Sequence, residues 1–353
     1  YNKGTVNNER KAVEMLLDIT READLQVAVD ALRAGQLVAF PTETVYGLGA
    51  DGFNEEACKN IYAAKGRPSD NPLILHIADM SALRDIAEEI PEAAVDLAEV
   101  FWPGPLTLVL KKRKVVSPIV SGGLDTVAVR MPDNDLTRAL IRAVGHPLAG
   151  PSANVSGRPS PTLATHVEHD FGDKIAGVVD GGHCRVGVES TIVDLTTTPY
   201  AILRPGGIPR EHIEAVIGPV TMAGPTADDA APKAPGMKYR HYAPQAPAYL
   251  LEGDNRAPRI LARLKDAPRP VGMLLADETI AELGVIPEDV FVWNMGSFDH
   301  PEEAAHRLFD GLRRMDAFEV QEIYVDAWPT EGLGEALMNR IGKLSQPWDT
   351  LSR

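Results

Sequence analysis

The spacing of apolar residues along the chain alternates between helical and extended patterns. Apolar residues recur at helical spacing over residues 21–35, and Gly35 stands where a helix commonly ends. The short apolar run 37–40 predicts a buried strand instead. Further strands are predicted over 73–77, 106–110, 126–129, 175–179 and 190–195, and further helices over 55–64, 91–100, 136–144 and 211–217. Such a mixture of helices and strands predicts an α/β domain.

A second alternation of strands and helices begins after a break in composition. Residues 222–236 are rich in Ala, Pro, Gly and Asp, as in a linker, whereas residues 237–244 carry aromatic and basic side chains that a free linker does not need. We therefore expect the latter segment to dock on a surface. Predicted strands follow over 249–251, 271–275, 290–292 and 323–326, with helices over 256–265, 301–315 and 333–344. This alternation predicts a parallel, Rossmann-like second domain.

These patterns divide the chain into four parts. We expect an N-terminal extension over 1–20, a first domain over 21–218, a linker over 219–247 and a smaller second domain over 248–353. The length of 353 residues supports two domains, because it exceeds what one hydrophobic core usually serves. No G-x-G-x-x-G follows the first strand of the second domain, so dinucleotide binding is not predicted there.

The composition narrows the class of protein and of partner. Lys plus Arg number 35 and Asp plus Glu number 50, which gives a formal net charge of −15, so we expect nucleic acid to bind weakly at most. The 2 cysteines, Cys58 and Cys184, are too far apart for a metal-binding motif. No apolar run approaches the roughly 20 residues that span a bilayer, and residues 1–10 lack the apolar core of a signal peptide. We therefore expect a cytoplasmic protein without a membrane segment.

Three polar loops offer groups that bind anions. The first, 41–49, supplies threonine hydroxyls and glycines, and the third, 150–158, supplies serine, asparagine and glycine. The second, 65–72, contains Lys65 and Arg67, whose cations suit phosphate or carboxylate. Each loop is also typical of an ordinary solvated turn, so each on its own leaves both interpretations open.

Single polar residues lie in or beside the predicted strands. Thr126 and Arg130 are an even number of residues apart, so they share one face of a strand. Ser190 opens another strand, and Arg204 precedes a Pro-Gly-Gly turn, although such an arginine is commonly part of a surface ion pair. His76 lies in an apolar strand, where a histidine is more often a core residue than a ligand contact. P-loop, zincin and α/β-hydrolase motifs are absent, so the residues alone predict an anion- or nucleotide-binding cleft in an α/β domain.

The three loops taken together resemble a known family. They contain P-T-E-T-V-Y-G-L-G from Pro41, K-G-R over 65–67 and S-A-N over 152–154, in this order along the chain. The combination resembles the YrdC-type domain, and the resemblance covers about residues 24–217. Residues 238–244 and the domain after them resemble the long, two-domain form of the threonylcarbamoyl-AMP synthase family.

The resemblance implies a fold and an activity. The fold would be a YrdC-type twisted α/β sheet with a large cleft, followed by a linker and a smaller Rossmann-like α/β domain. The activity would be that of a nucleotidyltransferase, which converts L-threonine, bicarbonate and ATP into threonylcarbamoyl-AMP, diphosphate and water for modification of tRNA next to the anticodon. Mg²⁺ would bind through the phosphates of the substrate ATP, with no metal held by protein residues. The product would pass to the tRNA threonylcarbamoyl-transferase complex.

The resemblance also assigns roles to individual residues. Threonine would contact Thr42, His76, Arg130 and Ser190. ATP would contact Arg67, Asn71, Thr126, Gly150, Ser152, Ser160, Arg204 and Tyr242. The catalytic set would be Lys65, Arg67, Ser152 and Asn154. Apart from the resemblance, we hypothesise that residues 239–242 fold over the nucleotide as a lid, because tyrosines are unusual in a linker.

Three alternatives remain at this point. The first is an RNA-binding module without catalysis, which the net charge of −15 opposes. The second is the carbamoyl-transferring enzyme of hydrogenase maturation, whose cysteine-rich zinc motifs a chain with 2 cysteines cannot supply. The third is a metabolite-binding regulator with two α/β domains, which nucleotide turnover would exclude.

Overall fold

Two β-sheets organise the molecule, and a computed structural model of the chain describes residues 15–224, 232–235 and 241–352. The first sheet has 11 strands and the second has 5, and helices pack against both. This architecture confirms the predicted fold class, in which a large mixed α/β domain precedes a smaller one. No helix within the described residues is both long enough and apolar enough to cross a membrane.

The first sheet combines parallel and antiparallel pairs in the order β1-β8-β2-β3-β7-β4-β6-β5-β9-β10-β11. Its strands are β1 (Leu16–Leu17), β2 (Val38–Phe40), β3 (Gly47–Asp51), β4 (Ile74–His76), β5 (Leu106–Lys111), β6 (Thr126–Arg130), β7 (Leu148–Ala149), β8 (Gly177–Val179), β9 (Thr191–Asp194), β10 (Ala201–Arg204) and β11 (Thr221–Met222). Its helices are α1 (Glu22–Arg33), α2 (Glu55–Lys65), α3 (Leu83–Ile86), α4 (Glu92–Phe101), α5 (Pro118–Ser121), α6 (Asp135–Val144), α7 (Ala164–Phe171) and α8 (Arg210–Ile217). Single 3₁₀ turns lie at Met80–Ala82 and Gly172–Lys174.

The second sheet is parallel throughout, in the order β14-β13-β15-β12-β16. Its strands are β12 (Ala248–Leu251), β13 (Val271–Leu275), β14 (Val290–Asn294), β15 (Glu322–Asp326) and β16 (Ser345–Pro347). Its helices are α9 (Arg256–Arg263), α10 (Asp277–Leu283), α11 (Pro301–Ala317) and α12 (Leu333–Leu344), with a 3₁₀ turn at Trp348–Ser352. Parallel strands that alternate with helices agree with the Rossmann-like prediction.

Local sequence signals place the end of α2 at the K-G-R motif of residues 65–67. The Asn54 side chain caps the helix by accepting a hydrogen bond from the backbone N–H of Ala57 at 3.1 Å. Gly66 ends it in the left-handed conformation, with a φ of 62°. Lys65 is therefore the last residue of the helix, and its side chain is buried.

Six strands lie where the sequence predicts none, namely β1, β3, β7, β10, β11 and β16. Leu16 and Leu17, which the sequence places in an extension, pair with β8 at the edge of the first sheet. Residues 1–14 lie outside the described part of the chain. Strand β3 occupies residues that the sequence analysis placed in a polar loop. The strand was not predicted because glycines have low strand propensity. A side chain at Gly47 would meet the Phe40 ring at 2.5 Å, so this strand needs glycine to pair closely with β2.

Candidate active site

The polar loops of the first domain surround a cleft whose empty space, including the part open to solvent, is about 700 Å³. Of the residues that the family resemblance implicates, all but Asn71 and Thr126 line it. Residues from the linker close one side. The cleft therefore brings together groups that lie as far apart in the sequence as Thr42 and Tyr242.

A turn of hydrogen bonds shapes the loop between β2 and β3. The Thr42 hydroxyl accepts bonds from the backbone N–H groups of Thr44 and Val45 at 3.1 and 3.2 Å, and it donates to Val45 O at 2.6 Å. Since its proton is thus used, the Thr44 hydroxyl donates to Thr42 Oγ1 across 2.8 Å. This leaves Thr44 Oγ1 as an acceptor, and it receives Arg130 Nη1 at 2.9 Å.

Arg130 ends β6 and is 4 % exposed. Its Nη2 lies 2.6 Å from Glu43 Oε1, close enough for an ion pair but outside hydrogen-bond geometry. Among the described residues, Nη2 and both Glu43 carboxylate oxygens lack a hydrogen-bond partner. The guanidinium is thus a fixed and desolvated cation with capacity for a further acceptor, and a planar carboxylate matches its geometry.

His76 lies beside Arg130, because the two residues are register partners on β4 and β6. Its ring meets the Phe40 ring edge-on, with centroids 5.1 Å apart. Burial, together with the charge of Arg130, lowers the pKa of His76 to about 3, so the imidazole is neutral at physiological pH. Its Nδ1 has no hydrogen-bond partner among the described residues, which suits contact with a polar ligand.

Lys65 links two motifs of the sequence directly. These are K-G-R over residues 65–67, called the K-x-R motif, and S-A-N over residues 152–154, called the S-x-N motif. Its Nζ donates to Ser152 O and, at 2.6 Å, to Asn154 O, and its own carbonyl accepts Ser156 N at 3.0 Å. Burial, followed by the nearby charge of Arg67, holds the pKa of Lys65 well below its ordinary value. Two motifs that are far apart in the sequence thus form one wall of the cleft.

Asn71 and Thr126 stand away from the cleft surface. The backbone carbonyl of Asn71 accepts Arg67 Nη2 at 3.0 Å and the Tyr62 hydroxyl at 3.0 Å, so Asn71 lies behind Arg67. Thr126 begins β6, and Arg130 ends it. Four residues of extended chain separate their Cα atoms by about 13 Å, which takes Thr126 away from the cleft end of the strand.

Ser190 and Arg204 form a further wall of the cleft. The Ser190 hydroxyl lies 2.7 Å from Thr107 Oγ1, and Arg204 Nη2 donates to Ser190 O at 2.9 Å. Arg204 Nη1 donates to Pro235 O at 3.1 Å, which ties the linker to this wall. Burial lowers the pKa of Arg204 to about 10. This arginine is therefore a buried cleft residue and not part of a surface ion pair.

Glu189 was not predicted, yet it is the only carboxylate among the described residues that line the cleft. Its Oε1 accepts the Ser160 hydroxyl at 2.6 Å, and its Oε2 accepts Arg340 Nε at 2.9 Å. Burial alone would raise the pKa of Glu189, but the charges of Arg340 and Arg204 and the bond from Ser160 outweigh it and lower that pKa. No local sequence signal marks this residue, because its partners are distant in the chain.

The linker approaches the cleft through His241 and Tyr242, whereas Tyr239 and Arg240 of the predicted lid lie outside the described residues. Tyr242 has a φ of 65°, and its ring packs 5.4 Å from the Phe309 ring of α11. It belongs to the hydrophobic core of the second domain, together with Val45 of the first. Burial lowers the pKa of His241 to about 3.

Comparisons with known proteins match both parts of the chain. A family model described as "Telomere recombination", of the Sua5, YciO and YrdC proteins, matches residues 30–206. A second model, described as "Threonylcarbamoyl-AMP synthase, C-terminal domain", matches residues 208–344. Each domain of the chain is thus covered by a separate model.

Individual relatives match over nearly their whole length. Threonylcarbamoyl-AMP synthase of Pyrococcus abyssi is 48 % identical over 92 % of this chain and 94 % of that protein. The enzyme of the same name from Bacillus subtilis is 48 % identical over 94 % and 97 %. The crystal structure of Pyrococcus abyssi Sua5 with L-threonine superposes with a TM-score of 0.87 at 47 % identity, over 94 % of this chain and 97 % of that one. The chain therefore belongs to the threonylcarbamoyl-AMP synthase family.

Proposed function

We propose that the protein makes threonylcarbamoyl-AMP from L-threonine, bicarbonate and ATP. The observation that carries this proposal is the division of the cleft into two parts. One part is a small buried corner with a fixed arginine and a neutral histidine, and the other is a wall of cations and small polar groups. We assign the amino acid to the first part and the nucleoside triphosphate to the second.

The threonine carboxylate pairs with Arg130, whose guanidinium is buried and held by Thr44. The substrate hydroxyl and amine lie among Thr42, His76 and Ser190, which offer small polar groups on the walls of this corner. A neutral His76 serves here better than a charged one, because it does not repel the ammonium group of threonine. A relative that is 47 % identical has been crystallised in complex with L-threonine, which supports threonine as the substrate.

ATP occupies the wall formed by the K-x-R and S-x-N motifs. Its contacts come from Arg67, Gly150, Ser152, Ser160, Arg204 and Tyr242, all of which line the cleft. Asn71 contributes by fixing Arg67 through its carbonyl, and Thr126 by forming the start of β6. The negative charge of a triphosphate favours the protonated form of Lys65, which opposes the effect of burial on its pKa.

The reaction needs no protein nucleophile. The amine of threonine adds to the carbon of bicarbonate with loss of water, which gives a carbamate. A carbamate oxygen then attacks the α-phosphorus of ATP, and the bond to the β-phosphate oxygen breaks as diphosphate leaves. Lys65 and Arg67 stabilise the charge that grows on the phosphates. Catalysis is therefore positioning and electrostatic stabilisation within one cleft.

In this scheme, Mg²⁺ binds together with ATP. No group of three His, Cys, Asp or Glu residues within the described ranges is arranged to hold a metal. Glu189, the carboxylate of the cleft, is already bonded to Ser160 and Arg340. In this proposal the phosphates of ATP would hold Mg²⁺, which would neutralise part of their charge.

The proposal also assigns a role to each part of the chain. Residues 21–218 are the catalytic domain, residues 219–247 are a linker that closes over ATP as a lid, and residues 248–353 are the Rossmann-like domain. The product passes to the tRNA threonylcarbamoyl-transferase complex. An RNA-binding module without catalysis is not favoured, because a net charge of −15 repels a phosphate backbone.

Release of diphosphate from ATP tests the function. We expect release to require both L-threonine and bicarbonate, because the carbamate is the group that attacks ATP. Release that is independent of threonine would indicate a different acceptor. ATP binding without any release, combined with salt-dependent binding of tRNA, would overturn the catalytic proposal in favour of the RNA-binding module.

A further inference from the structure

The loop from Ser152 to Ser160, named the cleft loop here, borders the cleft along most of its length. It contains no helix or strand, so neighbouring groups must fix its shape. The first domain holds its beginning, where Lys65 bonds to Ser152 O, Asn154 O and Ser156 N. The rest of the loop depends on other partners.

The end of the cleft loop is bonded to the second domain through Glu189. Ser160 Oγ donates to one oxygen of this carboxylate at 2.6 Å, and Arg340 Nε of α12 donates to the other at 2.9 Å. Arg340 is 0 % exposed and Glu189 is 6 % exposed. Removing one member of such a pair leaves the other as an uncompensated buried charge, so the two side chains depend on each other.

A second ion pair, whose side chains are 10 % and 2 % exposed, holds the middle of the cleft loop. Arg313 of α11 donates to the two carboxylate oxygens of Asp170 on α7 at 3.0 and 2.8 Å. Asp170 in turn accepts the backbone N–H of Val155 at 3.2 Å, and Arg313 Nη2 also donates to Pro159 O at 2.7 Å. One arginine of the second domain therefore reaches the cleft loop both directly and through a carboxylate.

The remaining contacts of the cleft loop also involve the linker or the second domain. Gly157 O accepts the backbone N–H of Ala243 in the linker at 2.8 Å. Arg158 Nη2 lies 3.9 Å from Asp316 Oδ2 of α11. From Gly157 to Ser160, each residue thus contacts the linker or the second domain, or contacts Glu189, which Arg340 holds.

We propose that Arg340 and Arg313 are positioning residues through which the second domain sets the shape of the cleft loop, and thereby the binding of ATP. This inference rests on the proposed function. Apolar packing of Val45 in one core with Tyr242 and Phe309 already joins the domains, and such packing stabilises without fixing the direction of a hydroxyl or an N–H group. Directed ion pairs do fix these directions, at Ser160 Oγ and Val155 N. The threonine corner, by contrast, takes its hydrogen bonds from the first domain.

The test uses the full chain with Arg340→Met or Arg313→Met. We expect kcat/KM for ATP to fall by 10-fold or more, up to about 100-fold, because small displacements of positioning groups have effects of this size. The affinity for a non-hydrolysable ATP analogue should fall in parallel, whereas the KM for threonine should change little. Arg340→Lys and Arg313→Lys keep the charge and should recover part of the loss; they carry the test if the methionine variants do not fold.

Arg263→Met is the matched control. Arg263 forms a similar two-bond ion pair with Glu322, but both residues lie within the second domain and away from the cleft. Its loss should lower the melting temperature and leave the ATP parameters unchanged. If the Arg340 and Arg313 variants behave like this control, the ion pairs serve stability alone and the inference is wrong. Failure of the proposed function would show instead in the wild type, as diphosphate release that does not depend on threonine.

Discussion

Lys65 is held by backbone carbonyl oxygens and not by carboxylates. These contacts determine how replacing Lys65 would affect activity and stability. Two of its three donors reach Ser152 O and Asn154 O. Lys65→Met should therefore remove a phosphate contact and also leave two buried carbonyls unpaired, at about 1–3 kcal/mol each. We expect diphosphate release to fall at least about 100-fold and the midpoint of urea unfolding to shift down.

Lys59→Met is the control for this prediction. Lys59 lies on the same helix, but it is exposed and pairs with Glu55 and Glu56 at the surface. Surface pairs contribute little, so activity and unfolding should both stay near wild type. Equal losses in the two variants would contradict the role given to Lys65.

A substitution at Arg130 should affect threonine binding much more than ATP binding. Arg130→Lys keeps a positive charge but loses the planar fork that a carboxylate requires. Because a hydrogen bond to a charged group contributes about 1.5–3 kcal/mol, the KM for threonine should rise by about 10- to 100-fold. Steady-state kinetics should show a much smaller change in the KM for ATP. Arg142→Lys, in an exposed ion pair with Asp79, should change neither value.

The sequence predicted this part of the site by family pattern and not by geometry. The K-x-R and S-x-N motifs stand out because their residue types and order recur together, and Lys65 bonds to both ends of the S-x-N motif. Glu189 could not be found in the same way, because it resembles any other acidic residue. It becomes a site residue only when Arg340, 151 positions later, is placed against it.

At the scale of elements, the close pairing of β2 and β3 depends on glycine. A Cβ atom at Gly47 would lie 2.5 Å from Phe40 Cζ, and one at Gly150 would lie 2.6 Å from the same atom. Phe40 therefore fills the space beneath the cleft where side chains would otherwise stand. The sequence pattern missed β3 because glycine gives no apolar alternation, although the need for close approach makes glycine necessary there.

Gly47→Ala should consequently be destabilising. The added methyl group has to displace a buried ring, and overpacking of this kind costs about 1–3 kcal/mol. Chemical unfolding measures the loss, and weaker threonine binding should accompany it because Phe40 also contacts His76. Gly342→Ala in α12 is the control, since a Cβ there meets nothing within 4 Å. It should be neutral or stabilising by up to about 1 kcal/mol. Equal unfolding midpoints for the two variants would contradict the close-packing account.

At the scale of the whole molecule, buried histidines link stability to pH. His76 is neutral in the folded state with a pKa of about 3, and its ordinary value is 6.5. Between these two values the unfolded chain binds more protons than the folded one, so stability is present above pH 6.5 and is lost as the pH falls below it. The slope for one such histidine is about 1.4 kcal/mol per pH unit.

His76→Gln should make the pH profile of stability flatter. Urea unfolding of both proteins between pH 4.5 and pH 7 should show the variant losing less stability on acidification than the wild type. Parallel profiles would mean that His76 titrates normally in the folded protein.

At this scale, the sequence predicted the second domain but not its contacts with the first domain. The change in composition at the linker and the renewed alternation after Ala248 were enough to predict a second α/β domain. They gave no information on how the second domain meets the first. That meeting depends on Arg340, Arg313 and Tyr242, which become informative only when their partners Glu189, Asp170 and Phe309 are located.

The most direct test of the central claim is the composition of the nucleotide product. The protein would be incubated with ATP, L-threonine and ¹³C-labelled bicarbonate, and the nucleotides would be analysed at once by mass spectrometry. The account predicts an AMP adduct that contains threonine and one labelled carbon, and that is absent when either threonine or bicarbonate is left out. An adduct without the label, or no nucleotide product other than ADP or AMP, would contradict it.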